Sequence, residues 1–140
     1  MISKTRYSTG TKIWLKCSFD SFGAPLIVLT DDVKKDGQIK RYGLHFEVVA
    51  YENGCNVWKI LPFPEKIERP IATTKIGTNA FKIKEESIVN ISLQVEEKCF
   101  KIEVNGIEFE VKNDDIPENF HVGFTACEGI NRLYEFAVEE

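Results

Sequence analysis

Two neighbouring stretches, RYGLHFEVVAY (41–51) and GCNVWKI (54–60), carry the side chains best suited to chemistry. Arg41, His45, Glu47 and Tyr51 recur at even spacing in the first, and Asn56 and Trp58 do so in the second. Residues two apart on a strand share a face, so this spacing predicts one polar-aromatic surface. A planar guanidinium, a carboxylate and an amide can bond vicinal hydroxyls in pairs. An indole adds a flat apolar platform with a polar N–H. Together they suit a polyol. Two readings of Trp58 stay open, because Val57 and Ile60 beside it are apolar: a platform on the exposed face, or a core side chain. His45 reads as a ligand contact or as a solvated strand histidine. Glu47 reads as a ligand contact or as the partner of Arg41 and His45 in an ion pair across the face.

Other chemistries lack their residues. There is no G-x-G-x-x-G or Walker loop to cradle phosphate and no G-x-S-x-G elbow. The two histidines, His45 and His121, are far apart in sequence, with neither H-x-H nor H-E-x-x-H spacing. Asp31, Asp32 and Asp36 lack the ligand spacing of a calcium loop and read as a solvated charged turn. Glycoside hydrolysis needs two carboxylates set across a cleft, and Glu47 is the one carboxylate that stands out. No catalytic residue, metal or cofactor is therefore expected. The cysteines, Cys17, Cys55, Cys99 and Cys127, contain no C-x-x-C pair and read as free thiols, with Cys17 and Cys99 as small buried hydrophobes.

The net charge is −4, with no basic block, so the electrostatic footprint of a nucleic-acid binder is missing. A polybasic membrane patch is missing for the same reason. No run approaches the ~18 apolar residues of a membrane span, and MISKTRYSTGTKIW contains no apolar core of a signal peptide. A cytoplasmic location is the resulting expectation, with a glycan as the possible partner.

The elements that would position these residues are strands. Thr11–Phe19 alternates, with Ile13, Leu15, Cys17 and Phe19 on one side. Leu26–Thr30 is a short apolar run, and DDVKKDG (31–37) reads as a charged turn. Lys40–Tyr51 reads as one long strand, returning through Glu52-Asn53-Gly54 into Cys55–Leu61. The stretch 62–79 reads as an irregular connection with a short edge strand around Ile71–Ile76, and Phe81–Ile83 as another short strand. Val89–Val95 alternates. In KIEVNGIEFEV (101–111), Asn105-Gly106 between two alternating runs predicts a type I′ hairpin. Ile102, Val104, Ile107, Phe109 and Val111 would then face inward, and Lys101, Glu103, Glu108 and Glu110 outward. Phe120–Ala126 and Leu133–Val138 close the chain. About ten short strands and no sustained helical period predict one all-β domain over residues 1–140, a two-sheet antiparallel β-sandwich.

Three segments carry a resemblance. IEVNGIEF resembles the V-x-V-N-G-x-x-F hairpin of galectins and laminin-G-like domains. RYGLHFEVVAYENGCNVWKI resembles the strand, turn and returning strand of their ligand face. FHVGFTACEGINRLYEFAV is similar to their closing strands. The chain thus resembles the concanavalin A-like lectin/glucanase superfamily, which implies a jelly roll with sugars lying across one sheet. Galectins carry H-x-N-P-R and W-x-x-E-x-R. Here His45 is present without Asn-Pro-Arg. Asn56 and Trp58 echo the Asn and Trp, while Glu68-Arg69 falls ten residues beyond Trp58. The E-x-D-x-x-E of the glucanases is absent. The resemblance therefore implies a non-catalytic lectin-like domain without galactoside specificity. A structural or protein-interaction sandwich is the alternative, and a glycoside-acting enzyme is the remaining class.

Overall fold

In the computed structural model, which describes residues 1–36, 39–61 and 73–140, the chain is all-β. In chain order the strands are β1 (Ile2–Ser8), β2 (Lys12–Asp20), β3 (Ala24–Thr30), β4 (Val33–Asp36), β5 (Ile39–Tyr42), β6 (His45–Tyr51) and β7 (Gly54–Ile60). They continue with β8 (Thr73–Ala80), β9 (Val89–Glu96), β10 (Cys99–Val104), β11 (Ile107–Lys112), β12 (Asn119–Cys127) and β13 (Ile130–Glu139). A six-stranded sheet runs β1-β12-β3-β6-β7-β8 and a five-stranded sheet runs β11-β10-β9-β2-β13, while β4 and β5 form a separate ribbon. Every pairing is antiparallel. The two large sheets pack as a sandwich, and no helix occurs among the described residues.

Alternation builds the core. Ile13, Leu15, Cys17 and Phe19 of β2 and Val89, Ile91, Leu93 and Val95 of β9 point inward. They meet Ile27 and Leu29 of β3, Phe46 and Val48 of β6, Val57 of β7, and Phe120 and Val122 of β12. Phe46 and Phe100 join the two layers edge to face, with centroids 5.4 Å apart, a favoured aromatic geometry. The predicted hairpin is present as β10–β11. Asn105 (φ 50°) and Gly106 (φ 83°) both lie in the left-handed region, as a type I′ turn requires. Ile102, Val104 and Val111 are buried, whereas Ile107, beside the turn, is exposed.

The expected long strand over Lys40–Tyr51 is divided. It bends at Gly43-Leu44, and its two halves join different sheets. The break is held by residues upstream in the chain. The Asp31 amide donates to the Leu44 carbonyl (3.1 Å), and the Gly43 amide donates to the Asp32 carbonyl (2.8 Å). The Thr30 hydroxyl reaches the carbonyls of Asp32 and Leu44. The charged segment read as a turn supplies β4, which pairs with β5 from Val33↔Tyr42 to Asp36↔Ile39. Two further differences lie in segments of weak pattern. β1, for which the sequence offers no apolar alternation, is an edge strand that pairs, among the described strands, only with β12. The strand expected around 71–76 runs Thr73–Ala80. Phe81–Ile83 is not a strand, and its amides bond the Asn53 and Glu52 carbonyls. The part of the expected connection between residues 62 and 72 lies outside the described residues.

Two of the turns at which the chain changes sheet adjoin each other. Ser21-Phe22 carries β2 into β3 and Glu128-Gly129 carries β12 into β13, all four residues with positive φ. The turns touch. A Cβ on Gly129 would lie 2.3 Å from the Gly23 nitrogen and 2.4 Å from the Ser21 carbonyl oxygen, so only glycine fits there.

Candidate functional site

Register turns the outer face of the six-stranded sheet into ordered rows. One runs His121–Thr30–His45–Ile60–Thr73 across β12, β3, β6, β7 and β8. The next runs Gly123–Val28–Glu47–Trp58–Lys75, and the third Thr125–Leu26–Val49–Asn56–Thr78. Tyr51, opposite Gly54, lies beyond them at the end of β6. Adjacent strands lie about 4.8 Å apart. The Glu47 carboxylate, the Trp58 indole and the Lys75 ammonium thus stand side by side over about 10 Å.

The structure brings His45, Glu47, Tyr51, Asn56 and Trp58 onto this one face. It does not bring Arg41 with them. Arg41 belongs to β5, opposite Lys34 in the separate ribbon, because the chain bends between it and His45; its side chain lies outside the description. Lys75 and Thr78, which the sequence reading did not single out, join the site from β8. Their only sequence signal is the spacing of a polar edge strand, too weak without the register to Trp58 and Asn56.

The polar contacts define what the face offers. His45 Nε2 lies 3.5 Å from Glu47 Oε1, and its Nδ1 lies 3.2 Å from the Gly43 carbonyl oxygen. Tyr42 meets the imidazole edge-on, with centroids 5.5 Å apart. The histidine is thus held on three sides by its own chain. The Thr78 hydroxyl donates to Asn56 Oδ1 at 2.8 Å, which leaves the Asn56 amide NH₂ as a donor.

Trp58 takes a place between the two sequence readings. It is half-buried and packs, with Ala24, against a small apolar cluster of Leu26, Val28 and Val49. The Lys75 ammonium lies 5.7 Å from its ring centroid, within cation–π range. The indole is anchored from below and bordered by charge on both sides. Cys127, at the end of β12, is exposed. Partial burial, then the Glu47 and Glu128 carboxylates, push its thiol above the ordinary value.

No protein-family model matches the chain, and no curated protein matches its sequence. Solved structures do match its shape. The carbohydrate-binding module CBM66 from Bacillus subtilis superposes with a TM-score of 0.67 at 14% identity, over 99% of this chain and 80% of that one. Chicken galectin 2 gives 0.66 at 15% identity, over 99% and 96%. An ancestral congerin gives 0.66 at 14% identity, over 99% and 98%. Such identity speaks to architecture alone, and in architecture the chain is a concanavalin A-like jelly roll, as its three sequence segments implied.

Proposed function

We propose that this protein is a non-catalytic carbohydrate-binding domain whose ligand lies across the outer face of the six-stranded sheet. The observation that carries the reading is the Glu47–Trp58–Lys75 row. An acceptor, a stacking surface and a donor stand on three consecutive strands, with Asn56 and His45 in the neighbouring rows. A sugar presents an apolar ring face and hydroxyls at its rim, and this row supplies partners for both. The names of the structural neighbours, a carbohydrate-binding module and a galectin, support the same class of ligand. Within the rows Glu47 is the single carboxylate. The paired acid and base of a glycosidase are not assembled there, which supports binding without turnover.

The half-burial of Trp58 on Leu26, Val28 and Val49 favours a second reading, a structural or protein-interaction sandwich in which this indole only completes the packing. Calorimetry against mono- and oligosaccharides, with wild type and Trp58→Phe, separates the two. Phenylalanine keeps most of the packing but shortens the platform. The lectin reading expects a saturable sugar response that weakens in Trp58→Phe. A protein that binds no sugar in such a panel would leave only the interaction reading.

A further inference from the structure

The chain has two tryptophans, and the structure places one on the outer face of each sheet. Trp14 lies on the five-stranded sheet, second in the row Ala137–Trp14–Ser92–Glu103–Glu108 that crosses β13, β2, β9, β10 and β11. It is half-buried on a face made mostly of polar and charged side chains. Its two lateral neighbours, Ala137 and Ser92, are small. They leave gaps on either side of the indole, and the Lys12 ammonium stands 5.2 Å from its ring centroid. Two depressions of about 470 and 340 Å³ join here, sharing Lys12, Ser92 and Glu103 in their walls.

We propose that this groove is a second, separate carbohydrate site, which takes a neutral sugar with its ring against Trp14 and its hydroxyls toward Glu103 and Glu108. Those two glutamates are directly opposite on β10 and β11. The nearby Lys101 ammonium is engaged by Glu96 at 2.8 Å, so no ion pair among the described residues takes up Glu103 or Glu108 and their oxygens are available acceptors. Lys12, Gln94 and Asn90 supply donors in the adjoining rows. A hydroxyl both donates and accepts, so a neutral polyol can use both sets. A polyanion would meet the carboxylates, and a polycation the lysines. From Trp14 on β2 to Glu103 on β10 is two strand spacings, about 10 Å, with the small Ser92 between. That gap can seat one sugar ring on edge. The inference shares its ligand class with the proposed front face but rests on other residues, and it makes one chain bivalent.

Trp14→Phe and Trp58→Phe each leave a single indole as reporter. Each variant would be titrated with lactose, maltohexaose and cellohexaose, following tryptophan emission. The expected result is a saturable change of Trp14 emission in Trp58→Phe with at least one of the three sugars. Its affinity should fall by about tenfold in Glu103→Gln/Glu108→Gln, the scale of one charge-assisted hydrogen bond. Emission of Trp58 in Trp14→Phe should be untouched by that pair of substitutions. A silent Trp14 beside a responding Trp58 overturns the second site and leaves the front face standing. The reverse pattern upholds the second site and removes the front one. Silence of both indoles toward all three sugars overturns both, and a Trp14 response indifferent to the glutamine substitutions overturns the site as drawn.

Discussion

At the residue scale, the packing of Trp58 and its proposed contact with a sugar can be divided by its variants. Trp58→Ala removes an indole that rests on Leu26, Val28 and Val49. We expect a loss of about 2–3 kcal/mol in chemical denaturation, below the ~3–5 kcal/mol of a fully buried tryptophan. Lys75→Ala removes only an exposed side chain and should leave stability within ~0.5 kcal/mol. It would lower affinity for any sugar bound along the Glu47–Trp58–Lys75 row. The buried thiols predict a pH dependence. Burial pushes Cys17 and Cys55 up to about 12 from the usual 9.0. In the unfolded chain these thiols lose their protons near pH 9, while in the folded protein they keep them. Their contribution is therefore complete below pH 9 and lost as pH rises toward about 12, at about 1.4 kcal/mol per pH unit for each thiol. Unfolding free energies measured from pH 8 to pH 11 should fall along this slope, more steeply in wild type than in Cys17→Ala/Cys55→Ala. The expectation of free thiols agrees with the structure: three cysteines are buried and Cys127 is exposed, with no disulfide. Cys127 alone should react in the native state, and more slowly at neutral pH than an unhindered thiol, because its raised pKa leaves less thiolate.

At the scale of elements the β10–β11 hairpin gives the cleanest test. A Cβ on Gly106 would meet nothing within 4 Å, so Gly106→Ala isolates the cost of φ 83°, about 1–2 kcal/mol by chemical denaturation. Asn105→Ala adds the loss of the bond from the Asn90 amide to Asn105 Oδ1 (2.8 Å). This hairpin was legible in the sequence because its signal is local: two turn residues and period-two flanks. Five of the six expected site residues share a face for a similar reason, since parity along β6 and β7 needs no knowledge of the partner strands. Arg41 falls in a different sheet from the other five because the bend at Gly43-Leu44 is made by Thr30, Asp31 and Asp32, on which the local pattern of 40–51 is silent. Lys75 and Thr78 stayed hidden because only the β7–β8 register, with its irregularity between Val57 and Trp58, brings them beside the site. β1 stayed hidden because ISKTRYS has no apolar face of its own and becomes a strand by pairing with β12.

For the whole molecule, the two adjoining sheet-changing turns make one joint out of distant segments. Gly129→Ala would drive a methyl group into backbone atoms of Gly23 and Ser21. We expect a loss of about 3 kcal/mol or more by chemical denaturation, since neither turn can move without shifting two strands. The continuous core between the sheets implies a single cooperative transition in the same experiment. The strand order has a further consequence, for the direction in which a chain is made. β12 lies inside its sheet, between β1 and β3, and β13 closes the other sheet against β2. A nascent chain that has emerged only as far as Lys112 holds β1 with no partner. Its β3, with six of seven residues destined for burial, has one bare edge, an open template for unwanted pairing. Folding of this domain on the ribosome must therefore wait for β12 and β13, and chains released before residue 119 should collect in the insoluble fraction to a greater extent than chains that include both strands.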